Sequence, residues 1–220
     1  YSMSTGIKNT IIGGLAGDAM STGHSSVAIG YEALGSATIA NHNVAIGIDA
    51  MNVNVAGDRN IAVGSEALKN MTAASTTDTY NIAIGYNAGK QVTSGVENVI
   101  MGGNAGDAIT TGSYNAVLGT SALGANTKSN ANVAIGNSAL ASFNLTSATA
   151  GYNVAVGFNA GVAVSTGVKN TIIGGLAGDA LTTGVNNTFI GYAAGGSTTD
   201  QSYNVAVGDT ALQANVNGAK

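Results

Sequence analysis

The sequence predicts an all-β protein, a parallel β-solenoid in twelve coils of 17 or 21 residues. Three observations carry this. A short phrase, such as Asn43-Val44-Ala45-Ile46-Gly47, recurs through the whole chain. The spacing of its glycine is nearly fixed. The composition is rich in Gly and poor in charge: 33 of 220 residues are Gly, 8% are charged, and Pro, Cys and Trp are absent.

The period is read from the glycine that follows the aliphatic position. It falls at Gly13, Gly30, Gly47, Gly64, Gly85, Gly102, Gly119, Gly136, Gly157, Gly174, Gly191 and Gly208. Neighbours are 17 residues apart, except for two gaps of 21 that precede Gly85 and Gly157. A fixed period of this length is the mark of stacked repeats, each too small to bury a core alone. A longer period lies above it. Lys8 to Ala19 returns unchanged as Lys169 to Ala180. The whole chain, 1–220, reads as a single repeat array and a fragment of a longer fibre. Its blocks run at about 1–78, 79–150 and 151–220, and the first of them carries one extra coil near Asn43.

Each coil has one definite strand before the glycine, such as Asn132-Val133-Ala134-Ile135 before Gly136. Alternation sends Val133 and Ile135 to one face and Asn132 and Ala134 to the other. The more aliphatic face is assigned to the coil interior. Thus Val44 and Ile46 are expected inside, with Ala45 toward a neighbouring chain. A strand apolar on both faces needs two covers. One is the coil itself; the other is expected to be a second copy, which makes the chain an oligomer.

The columns have separate readings. Asn stands four residues before the glycine in every coil but one, where Ser26 replaces it. Stacked at one strand spacing, Asn43, Asn60, Asn81, Asn98, Asn115, Asn132 and Asn153 can hydrogen-bond up the stack as a ladder. Gly47, Gly64 and Gly136 are turn residues or sites of close backbone approach. Ala50, Ala67 and Ala139, three positions later, mark tight contacts with no room for a larger side chain. Loops rich in Ser, Thr, Asn and Gly close each coil. The two four-residue insertions make the loops Lys69 to Thr79 and Ala141 to Ala150 the least constrained. Lys69, Asn70, Thr72, Phe143, Asn144 and Thr146 are the candidate contact residues there.

Ser26-Val27-Ala28-Ile29-Gly30, Asn132 to Gly136 and Asn204 to Gly208 resemble the head repeats of trimeric autotransporter adhesins. The longer phrase Tyr80 to Gly89 looks like repeats in phage tail fibres. The resemblance implies a left-handed parallel β-roll in an intertwined or side-by-side homotrimer. It implies a tail-fibre shaft in a virion, or a similar extracellular appendage, that attaches to a host glycan or protein. The head of a bacterial surface adhesin is the alternative, and an ice-binding solenoid a more distant one, since paired threonines such as Thr110-Thr111 occur only in some coils.

Chemistry is sparse. The net charge of −4 argues against a nucleic-acid surface. No apolar run is long enough for a membrane-spanning helix. No catalytic constellation, cofactor site or metal site is expected. His24 and His42 read as loop histidines. Asp18, Asp107 and Asp179 share a Gly-Asp-Ala column that reads as a turn, with a cation on a threefold axis as the alternative. Tyr80, Tyr114, Tyr152 and Tyr203 are expected to pack between chains or, if exposed, to stack on sugars.

Overall fold

A computed structural model describes residues 4–73 and 77–214. The chain divides into two compact units, 1–111 and 112–220, and in both it winds as a parallel β-solenoid. The first unit carries β1 (Thr10–Ile12), β2 (Val27–Ile29), β3 (Val44–Ile46), β5 (Ile61–Val63), β7 (Ile82–Ile84) and β8 (Val99–Met101). A short pair, β4 (Gly57–Asp58) and β6 (Thr77–Asp78), stands beside them. The second unit carries β9 (Ala116–Leu118), β10 (Val133–Ile135), β11 (Val154–Val156), β12 (Thr171–Ile173), β13 (Thr188–Ile190) and β14 (Val205–Val207).

Pairing is parallel and in strict register. Val27 lies on Val44, Val44 on Ile61 and Ile61 on Ile82. In the second unit Ala116, Val133, Val154, Thr171, Thr188 and Val205 form one such column. The register follows from the period, since a slip of one residue would exchange the faces of every strand.

The faces are the reverse of the sequence expectation. Ala45, Ala134 and Asn132 are fully buried, whereas Val133 and Ile135 are half-buried and Ile46 is exposed. The interior side is therefore the Ala and Asn face; Val44 and Ile46 point out. The physical reason is the thinness of a 17-residue coil. In coils such as those of Ala45 with Met51 and Ala134 with Leu140 the opposite wall supplies the large core side chain, so the strand offers a small one.

The opposite wall is the segment after the glycine. It forms a run of turns and bends rather than a second strand. Its invariant Ala is buried in eleven coils, as at Ala50, Ala67 and Ala139. The residue after that Ala, buried wherever it is Leu or Met inside a stack, adjusts its size to the strand. Where the strand offers Ala134, the wall supplies Leu140; where the strand offers Phe189, the wall recedes to Gly195. A Cβ on Gly195 would lie 2.7 Å from the Phe189 ring. In these coils two positions compensate, as close packing demands. The coils of Ala83 with Gly89 and Ala155 with Gly161 are small at both positions and are filled from adjoining coils. A Cβ on Gly89 would lie 2.9 Å from Ile100 and one on Gly161 2.9 Å from Ile172.

Three corners of the coil lie in the left-handed region, and in some coils all three hold non-glycine residues. Around Gly47 they are His42 (φ 56), Asp49 (φ 58) and Met51 (φ 48). This conformation costs an L-residue about 1 kcal/mol or more. Each corner N–H is donated to an adjacent coil: His42 to His24 O at 2.9 Å, Asp49 to Tyr31 O at 2.9 Å and Met51 to Ala67 O at 3.0 Å. The inter-coil hydrogen bonds offset the strain.

Candidate functional surface

The buried Asn column does two jobs at once. Asn43 Oδ1 accepts the backbone N–H of Asn60 at 2.8 Å and its Nδ2 at 3.1 Å. Asn43 Nδ2 reaches across its own coil to Gly57 O at 2.8 Å. The same double use recurs. Asn81 and Asn98 are joined through Asn81 Oδ1, and Asn115 and Asn132 through Asn115 Oδ1. Asn60 Oδ1 accepts from the Asn81 N–H, and Asn153 Oδ1 from that of Asn170. The cross-coil arm was not legible as a ladder: Asn81 donates to Gly95 O, Asn115 to Ser129 O and Asn153 to Gly167 O. Each such Asn therefore ties the strand to the loop of its own coil as well as to the next coil.

At the strand ends Gly47 (φ 136), Gly64 (φ 133) and Gly136 (φ 126) meet both demands placed on glycine. A Cβ on Gly136 would lie 2.3 Å from Gly157 O, a distance no real Cβ shows.

The inserted loops are unequal. Lys69 is turned along the wall and pairs with Asp49 Oδ2 at 2.9 Å. Asn70 Nδ2 donates to Gln91 Oε1 at 2.9 Å. Thr72 is exposed, and residues 74–76 lie outside the described residues. In the second loop Phe143 is fully buried and is no contact residue: it fills the coil interior, where Gly151 leaves space for its ring. Asn144 Oδ1 accepts from Thr127 N and Oγ1. Thr146, Ser147, Ala148 and Thr149 are exposed.

One edge of the first unit carries a chain of charges that the sequence reading missed. Glu32 Oε2 and Asp49 Oδ1 both accept from Asn52 Nδ2, at 2.8 and 3.0 Å. Lys69 bridges Asp49 and Glu66, and Lys90 closes on Glu66 Oε2. The hydrogen bond from Lys69 holds the Asp49 carboxyl below its ordinary value. Lys90 does the same for Glu66, and Asp49 raises Lys69. The members stand two or five residues after their glycines, and that spacing was the signal available.

The outward strand face is an aliphatic facet. Ile46, Ile61 and Val99 in the first unit, and Leu118, Ile173 and Ile190 in the second, are exposed. Aromatic residues flank it on both sides: Tyr31, Tyr86, Phe158 and Tyr192 just after the glycine, and Tyr80, Tyr114, Tyr152 and Tyr203 before the Asn. Tyr80 is fixed by its hydroxyl donating to Asp78 at 2.9 Å and by the Arg59 guanidinium 6.0 Å from its ring centre.

Asp18 and Asp107 lie in coils far apart in the first unit, and Asp179 lies in the second. Burial raises the Asp107 carboxyl above its ordinary value. His24 Nδ1 accepts from the Ile7 N–H at 3.2 Å, while His42 is exposed. Among the described residues no three His, Cys, Asp or Glu side chains group to hold a metal ion, and no helix is long and apolar enough to cross a membrane. No protein family, curated protein or solved structure matches the chain.

Proposed function

We propose that the chain is a non-catalytic structural segment: the shaft of a phage tail fibre or similar extracellular appendage, assembled as a homotrimer and presenting loops to a host surface. The observation that carries this reading is the aliphatic facet. Contiguous exposed apolar surface of more than a few hundred Å² marks a contact site on a soluble protein. Here the apolar residues recur once per coil with no charge among them. A partner with the same repeat matches them rung for rung, and the only partner sure to share that repeat is another copy. Three copies turning this facet toward one axis remove it from water. The reading thus keeps the oligomer expected from sequence and moves its interface from the Ala face to the Val and Ile face.

The corners and inserted loops then face outward. Residues 146–149 are the free surface for attachment, since Phe143 and Asn144 serve the fold. The head of a trimeric bacterial adhesin has the same physical requirements and is the second reading.

Mass measurement in solution tests the proposal. The native chain is expected at three times 21.4 kDa. The variant Ile46→Asp with Ile61→Asp is expected to lose that mass and keep its β-sheet circular dichroism. A native monomer would overturn the trimer and the fibre reading with it.

A further inference from the structure

One column combines exposure, strain and useful chemistry. In the second unit the residue five before each glycine reads Tyr114, Ala131, Tyr152, Lys169, Asn186, Tyr203. All six lie in the left-handed region, with φ between 50 and 63. Glycine or asparagine would sit there with least strain, and tyrosine is a poor choice. Yet no coil of the chain has glycine at this position, whereas half of them have glycine at the corner four residues after the turn. The three tyrosines are not held there by the core either: they are 56, 60 and 62% exposed. A bulky residue kept at a strained exposed corner points to a use for the side chain.

The spacing narrows that use. Tyr114 and Tyr152 are two coils apart, roughly 9.6 Å at the strand spacing. Between them stands Ala131, which leaves the gap open. A flat chain of equatorially linked pyranoses turns the same face outward at every second sugar, over about that distance. The polarised C–H groups of a pyranose face meet the electron-rich face of a phenol ring favourably. Lys169 and Asn186 follow with hydrogen-bond donors for ring hydroxyls. The acidic balance of the chain favours a neutral glycan over a polyanion.

We propose that the Tyr114–Ala131–Tyr152–Lys169 column is a binding platform for an unbranched neutral glycan of equatorially linked pyranoses, laid along the coil stack. This goes beyond attachment through the inserted loops. It rests on the fibre reading only in that the column must stay outside the contact between copies.

The test uses the whole chain and hexasaccharides of β-1,4-linked glucose, mannose and N-acetylglucosamine, with affinity from calorimetry and mass and melting temperature recorded for every variant. At least one oligosaccharide is expected to bind. Tyr152→Asn and Tyr114→Asn should each weaken that binding about tenfold or more while holding or raising the melting temperature, because asparagine relaxes the corner. Ala131→Leu should block the gap and abolish binding. Tyr192→Ala, on the other rim of the facet, should leave binding unchanged. Three outcomes overturn the proposal: none of the hexasaccharides binds, binding is indifferent to Tyr114 and Tyr152, or the tyrosine variants change the oligomer mass. A native monomer that still binds through Tyr114 and Tyr152 would refute the trimer and leave the platform standing.

Discussion

Asn60 gives both its backbone N–H and its side-chain amide to one atom, Oδ1 of Asn43, at 2.8 and 3.1 Å. Asn43 in turn gives its own amide to Gly57 O at 2.8 Å. Replacing Asn43 by Ala strands the buried N–H of Asn60, whereas the Asn60 amide keeps Asp58 O and Gly57 O keeps the Asn54 amide. An unsatisfied buried group costs roughly 1–3 kcal/mol, and Asn43→Ala is expected to fall in that range. Chemical denaturation with a circular dichroism readout measures it.

Ser26 is the natural exception in that column. Its Oγ still accepts the Asn43 N–H, at 3.2 Å, but its proton goes to His24 O at 3.3 Å rather than across the coil. The hydroxyl is too short to span the coil to its loop. Ala37 in the same coil is smaller than Met20 and Asn54, which hold the matching position in the adjacent coils. Ser26→Asn is therefore expected to stabilise the chain by about 1 kcal/mol, one added buried hydrogen bond. A lowered denaturation midpoint would refute this.

Gly136→Ala should be among the most damaging single changes. Its Cβ would sit on Gly157 O, and φ 126 is closed to L-residues. The loss is expected to exceed about 3 kcal/mol, since the strain and the clash add. The experiment is a comparison with Ser138→Ala in the same coil, which should change stability by less than about 0.5 kcal/mol.

The compensation between Phe189 and Gly195 predicts a rescue. Gly195→Leu drives a side chain into the Phe189 ring and should cost about 1–3 kcal/mol or more. Phe189→Ala empties the coil and should cost about 3–5 kcal/mol. The double variant recreates the Ala134 and Leu140 arrangement and should be more stable than either single one. A double-mutant cycle without positive coupling would dismiss the compensation.

The charged edge gives a signed pH dependence. Asp49 and Glu66 are held below their ordinary values of 3.8 and 4.5. The unfolded chain binds their protons more readily, so they stabilise the fold at neutral pH, and this is lost as pH falls through their folded values. Lys69, held above 10.5, acts in the same sense below that pH and loses its effect as pH rises through its folded value. Asp107 has the opposite sign: raised by burial above 3.8, its ionisation works against the fold at neutral pH. Melting curves between pH 2 and 8, a range chosen to span roughly both carboxylate types, should show Asp49→Asn lowering stability at pH 7 and flattening the acid limb. Asp107→Asn should raise stability at pH 7 and have no effect at the acid end.

The period, the strand of each coil and the identity of every column were determined by sequence alone, because a one-dimensional stack repeats the same contacts at every rung. Which face lies inside was not. Val44 and Ile46 alternate with Asn43 and Ala45, and an alternation whose two faces are both largely apolar names two sides without saying which is the interior. The tertiary structure decided it through volume. The coil of Ala134 takes its large core residue, Leu140, from the opposite wall, so the larger aliphatics of the strand are turned out. The left-handed corners were equally hidden, since Tyr203 and Lys169 occupy φ values that their side chains disfavour, and their N–H groups are held by Val185 O and Gly151 O of neighbouring coils.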